Sequence, residues 1–191
     1  MEKTRGSFLI EPPAAAMPAS LAFLRQARFA LGEEFFVKIS RAIDPLSDPQ
    51  VWQRPNEESN SIGNLMLHLA GNARQWIVVG IGGATDVRDR PREFAERNMI
   101  GKAELLALLR TTIEEADAVL AGIERELAAA SSDEALRRVR APQGFDQTVL
   151  DAICHVVQHF SYHTGQIVFI AKMLAAGQIR FYDDRLLAGE E

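Results

Sequence analysis

Apolar residues recur at three- and four-residue spacing in four stretches of the chain, the pattern of helices that bury one face. The first stretch runs from about Ser20 through LAFLRQARFALGEEFFVKISRAI to Ile43. The second, SIGNLMLHLAGNARQWIVVGI, can be capped by Ser59 or Ser61 and stops at Gly82 and Gly83. The third begins near Lys102 and carries ELLALLRTTIEEADAVLAGIERELAAA. The fourth spans roughly Asp146 to Ala176, with Gly177 as its expected C-cap. No segment alternates convincingly between apolar and polar positions. The spacing therefore predicts an all-α protein, a four-helix bundle forming a single domain over residues 1–191.

The intervening segments are polar and rich in turn formers. Pro12, Pro13 and Pro18 make residues 1–18 irregular, and residues 177–191 form a tail. DPLSDPQVWQRPNEESNS reads as a loop, as do residues 82–98 and a polar segment holding Pro142 and Gly144. The first and third of these connections are long, which permits crossovers and supplies a rim for any pocket at the end of the bundle.

Composition changes the picture mainly by exclusion. A net charge of −5 with no basic stripe argues against a nucleic-acid partner, because phosphate affinity comes from clustered Lys and Arg. Cys154 is the only cysteine, so no intrachain disulfide can form and a reducing, cytoplasmic home is expected. No apolar run approaches the length of a membrane span, and the N-terminus has no apolar core suited to a secretory signal.

The candidate chemistry lies in the histidines. Three of the four form the ladder HVVQHFSYH on the fourth predicted helix: His155, His159 and His163. Neighbours four residues apart sit about 40° apart around a helix axis, so an adjacent pair can converge on one ion. The outermost pair drifts about 80° and converges less readily. One adjacent pair is thus expected to bind, and spacing alone leaves open which.

The remaining histidine, His68, shares a face of the second helix with Asn64, Asn72 and Gln75, set among Leu65, Met66, Leu69, Trp76 and Ile77. Such a polar stripe on a core-facing helix is costly unless its groups find hydrogen bonds or an ion. Alone, His68 would ordinarily be a satisfied core or surface histidine. Together with the ladder it points to three imidazoles around one divalent ion, with Asn64, Asn72, Gln75, His155 and Gln166 as polar groups that orient them or line the pocket. A carboxylate-bridged diiron site is not expected, since no E-x-x-H occurs.

At HVVQHFSYHTGQI and SIGNLMLHLAGNARQW the sequence resembles the DinB/YfiT-like superfamily of metal-dependent enzymes. The resemblance covers roughly residues 20–176. Its most specific element is His159, His163, Thr164, Gly165, Gln166 and Ile167, and its second is His68 midway along the second helix. It implies a bundle with crossover connections, His68, His159 and His163 as metal ligands, and frequent homodimerisation. His155 matches a histidine often found one turn before the ligands. Many members carry Arg after the last histidine, where this chain has Thr164. The run Arg74, Gln75 and Trp76 looks like a branch of the superfamily with no assigned function.

Other residues attract simpler readings. Cys154 and His155 are adjacent on a helix and so point about 100° apart, which rules out a catalytic pair and leaves Cys154 as a small buried hydrophobe. Tyr162 is expected in the core or a dimer interface. Arg74, Arg88 and Arg92 are expected to be solvated, although each could meet a ligand if its segment folds over the bundle end. Gly80, Gly82 and Gly83 lack the phosphate-loop pattern.

Two classes of function follow. Three neutral ligands leave an ion its full charge and an open position, which suits a small-molecule hydrolase or thiol S-transferase. The ion is expected to be zinc or nickel, with iron or manganese as alternatives. The other class is a non-catalytic metal- or ligand-binding module, favoured by the lack of an evident general base. Asp151 and Glu58 are the candidates for that role by position alone.

Overall fold

The computed structural model describes residues 17–130 and 132–182. The expected irregular segment 1–18 and tail 177–191 therefore lie largely outside the described residues.

Helix α1 (Ala19–Phe29) starts where the Pro18 carbonyl accepts bonds from the Leu21 and Ala22 amides, both at 3.0 Å. It passes through a π-helical stretch (Ala30–Phe35) into α2 (Phe36–Ile43), making one long rod. A short α3 (Asp48–Trp52) follows, with Ser47 and Gln50 forming a capping box. Helix α4 (Ile62–Ala73) is capped by Ser61, whose Oγ accepts from the Asn64 amide at 3.1 Å, and runs on through a second π-helical stretch (Arg74–Val79). Next come α5 (Arg90–Ala95) and the longest helix, α6 (Lys102–Ala130). A one-turn α7 (Glu134–Arg137) leads to β1 (Val139–Arg140), which pairs antiparallel with β2 (Gln147–Thr148). Thr148 then caps α8 (Val149–Leu174), its Oγ1 accepting from the Asp151 amide at 3.1 Å. The helix is capped at Ala175, two residues before the expected Gly177, which instead takes φ of +79° in the following turn that the Gln178 amide closes on the Ala175 carbonyl at 3.1 Å.

The protein is thus mostly helical. Among the described residues four long rods surround one continuous apolar core that includes Leu24, Ile39, Leu69, Leu109 and Phe160, each fully buried. The first rod packs against α6 and α8, and so does the second, so the order around the core is first, third, second, fourth. Arg28 grips Asp117 with two bonds of 2.6 and 2.9 Å and also pairs with Glu124, tying α1 to α6. No described helix is long and apolar enough to cross a membrane.

Three short helices and the β ladder occupy segments that read as loops. Elements of two to six residues are too short to display a helical period, so the apolar pattern could not reveal them. Two of the short helices position the functional region. The Trp52 indole Nε1 of α3 donates to the Ile100 carbonyl at 2.8 Å, and its ring lies flat over Gly63 of α4. The segment after α4 is thereby drawn back over that helix, with α5 packed along it.

Candidate metal centre

Helix α4 delivers His68 and α8 delivers His159 and His163, at the place where the two helices pack together. His68 is 4% exposed and His163 9% exposed. The nearest imidazole nitrogens, Nε2 of His68 and Nε2 of His159, are 2.8 Å apart. One nitrogen from each of the three rings lies within 4.8 Å of the others. The i, i+4 spacing supplies the first convergence, and the packing of α4 on α8 supplies the second.

The polar surroundings assign the protons. His68 Nδ1 lies 2.7 Å from Glu93 Oε2, so Nδ1–H donates to the carboxylate and Nε2 is the nitrogen directed at His159. One proton shared between the two Nε2 atoms completes that contact. His163 Nδ1–H donates to Gln166 Oε1 at 2.6 Å, which leaves Nε2 as its free nitrogen. Arg88 binds Glu93 through both oxygens, Nε to Oε1 at 2.7 Å and Nη2 to Oε2 at 2.9 Å. Its remaining nitrogen donates to Gln75 Oε1 at 2.8 Å, and Gln75 in turn donates to Asp86 at 2.8 Å. The Phe94 ring covers His68 at 4.6 Å between centroids.

These contacts set the charge states. Burial, reinforced by the charges of His163, His68, His155 and Arg88, pushes the His159 pKa down to about 3. Burial also lowers His163, against the opposing bond to Gln166, and lowers His155 with help from Arg88 and His68. Burial would raise Glu93, yet its bonds to His68 and Arg88 win and hold it below the usual carboxylate range. Near neutral pH His159, His163 and His155 are therefore neutral beside an ionised carboxylate, itself paired with a guanidinium.

Residues 19–182 match the family model for DUF1572, a protein family of unknown function. The chain belongs to this family. No curated protein matches it. The span shared with DUF1572 contains all four histidines together with Glu93 and Arg88.

The residues of this DUF1572 protein fit a divalent ion. Neutral imidazoles are suitable donors, and a carboxylate–histidine bond is the usual device that orients such a ligand. Two imidazole nitrogens sharing a tetrahedral ion stand about 3.3 Å apart by the bond lengths involved. The His68–His159 pair would need to open by roughly half an ångström, a side-chain adjustment. Three nearby histidines, His68, His159 and His163, could thus hold a metal ion.

The other expected residues fall into place around this cluster. His155 lies outside it: its ring stacks on Trp76 at 4.0 Å, and its Nε2 accepts from Asn72 Nδ2 at 3.1 Å. Asn64 caps α4 and donates to the Glu93 and Glu96 carbonyls at 2.9 and 3.2 Å, pinning α5. Gln75 holds Arg88, and Gln166 holds His163. Thr164 is buried in the core with an unpartnered hydroxyl. Arg74 pairs with Glu115 on α6, and Tyr162 is exposed, its ring 5.0 Å from that of His163. Of the proposed bases, Asp151 caps α8 through Thr148 and Glu58 is an exposed loop residue.

Sequence reasoning missed Glu93 and treated Arg88 as a solvated loop residue. A signal was present: Asp89 followed by Arg90, Pro91, Arg92 and Glu93 has a capping residue, proline in the first turn and an acid after it. The structure forms that helix, with Asp89 accepting from the Arg92 amide at 3.1 Å.

Proposed function

We propose that the protein is a metal-dependent enzyme acting on a small molecule, with one divalent ion held by His68, His159 and His163. The carrying observation is that these three side chains, from two helices, converge within 4.8 Å while the outer nitrogens of His68 and His163 are committed to Glu93 and Gln166. Zinc or nickel suits three imidazoles best, with iron or manganese as alternatives. Such an ion supplies Lewis acidity and an open coordination position for a water, thiol or carbonyl group. The protein's own groups hold His159 and His163 neutral, fix the Nδ1 protons of His68 and His163 and screen the cluster with Phe94.

The reading extends to a single-domain four-helix bundle with crossover connections of the DinB/YfiT-like type. It is supported by the packing order of the rods, in which the first and second lie across the core from each other. Hydrolysis and thiol S-transfer are the reaction classes proposed, in the cytoplasm. A homodimer is proposed on α8, where Tyr162, Phe169 and Met173 are 64%, 67% and 61% exposed at spacings of seven and four residues.

One observation favours a second reading, a non-catalytic binding module. The carboxylate that reaches the histidines, Glu93, is bound by His68 and Arg88 and so is not free to accept a substrate proton.

Elemental analysis of protein purified without a nickel column tests the site. About one ion per chain is expected, falling to near zero in a His159→Ala, His163→Ala double variant. Unchanged metal content in that variant would overturn the assignment. Saturable small-molecule binding without turnover on thiol, epoxide or amide panels would favour the binding module.

A further inference from the structure

Glycine at position 71 leaves a recess on α4, one turn after His68, and the Glu93–Arg88 pair fills it. A Cβ built on Gly71 would overlap Glu93 Oε1 and stand 2.9 Å from Arg88 Nε. Both groups come from the segment that folds back over α4, and both are nearly buried, their side chains 10% and 5% exposed. An ion pair is costly to desolvate unless its hydrogen bonds are complete. Here every nitrogen of the guanidinium has a partner: Arg88 gives two bonds to Glu93 and one to Gln75, and Glu93 receives a third from His68.

We propose that Glu93 is the positioning residue of the metal centre, clamped by Arg88 in a recess that exists because residue 71 is glycine. This rests on the metal-binding reading above. The carboxylate fixes the His68 ring and the proton on its Nδ1, and so presents Nε2 to the ion. Arg88 fixes the carboxylate through both oxygens and takes up part of its charge. Docking of residues 86–96 is thereby linked to metal affinity, because an ion on Nε2 strengthens the Nδ1–H bond that holds Glu93 in place.

Gly71→Ala separates this role from a merely structural one. Alanine is the better helix former, and the atom it would strike is the far end of a flexible side chain. The fold should survive while Glu93 is displaced from His68. Glu93→Gln is the companion variant, which keeps the shape and removes the charge.

Three readouts apply to the full-length protein: cobalt(II) affinity from its visible absorption in competition with a chelator, Tm, and the nitrogen-15 resonances of His68 in metal-free protein. Wild type should bind cobalt and show His68 as the Nδ1–H tautomer. Both variants should bind cobalt about 10- to 100-fold more weakly. Gly71→Ala should do so with a single cooperative thermal transition retained and with His68 as a tautomer mixture. Cobalt affinity within twofold of wild type in both variants, or an unchanged His68 tautomer in Gly71→Ala, would overturn the inference. A wild type that binds no cobalt would overturn the metal reading itself.

Discussion

Acidification from pH 7 to pH 5 should destabilise the metal-free protein, and the buried histidines set the size of the effect. The His159 pKa is lowered from 6.5 to about 3, so the folded ring resists a proton that the unfolded chain accepts readily. Below pH 6.5 the unfolded state therefore binds more protons than the folded state. Stability must fall with falling pH until the folded pKa is reached. One such group contributes a slope of about 1.4 kcal/mol per pH unit, so at pH 5 His159 alone removes about 2 kcal/mol. His163 and His155 are shifted in the same direction and add to the slope. The depressed carboxylates Glu93 and Glu124 act elsewhere: their stabilisation is present above the ordinary glutamate pKa and is lost only below it. The interval from pH 6.5 to 5 thus isolates the histidines. Urea unfolding of chelator-treated protein across that interval gives the slope, and His159→Ala should reduce it by about one proton's worth. A flat stability profile in wild type would refute the claim that His159, His163 and His155 are held neutral.

Gly63→Ala should cost about 1–3 kcal/mol, because the new methyl would lie 2.8 Å from the Trp52 ring, which the bond to Ile100 holds in place. A lowered Tm is expected, and an unchanged one would show that α3 moves freely. Replacing Tyr162, Phe169 and Met173 together with Ser should convert a dimer to a monomer in light scattering, with little effect on the fold of the subunit, since all three are exposed. A wild type that is already monomeric would refute the α8 interface.

How much was legible in the sequence depended on distance along the chain. The four rods were readable because each repeats its apolar face over many turns, and an adjacent histidine pair was readable because its spacing is itself helical, the choice of His159 and His163 coming from the family resemblance. The partnership with His68 needed the tertiary packing of α4 on α8, 91 residues apart, and came from the polar stripe and the family resemblance together. Glu93 and Arg88 were hidden for a different reason. Residues 86–93 alternate charges of both signs, which ordinarily marks a solvated loop, and nothing local shows that Gly71 offers a place to bury them. The stripe residues Asn64 and Gln75 were identified as functional, but their partners proved to be α5 and Arg88, the segment thought to be free.

That segment also bears on which reaction the site can support. Amide hydrolysis needs a group to accept a proton from the attacking water and another to protonate the leaving nitrogen. Glu93 is committed to Arg88 and His68, Asp151 to the α8 cap, and Glu58 lies exposed on a loop. A thiol makes smaller demands. Its pKa of about 8.5 lies close to neutrality, and a neighbouring positive charge is enough to bring it into the thiolate form. Of the two proposed classes, thiol S-transfer therefore asks least of the residues present. Holoprotein offered a low-molecular-weight thiol with an electrophile should turn over faster than with simple amides, and the rate should survive Asp151→Asn and Glu58→Gln. Efficient amide cleavage that collapses in either variant would reverse this ordering and identify the base that the present geometry leaves unassigned.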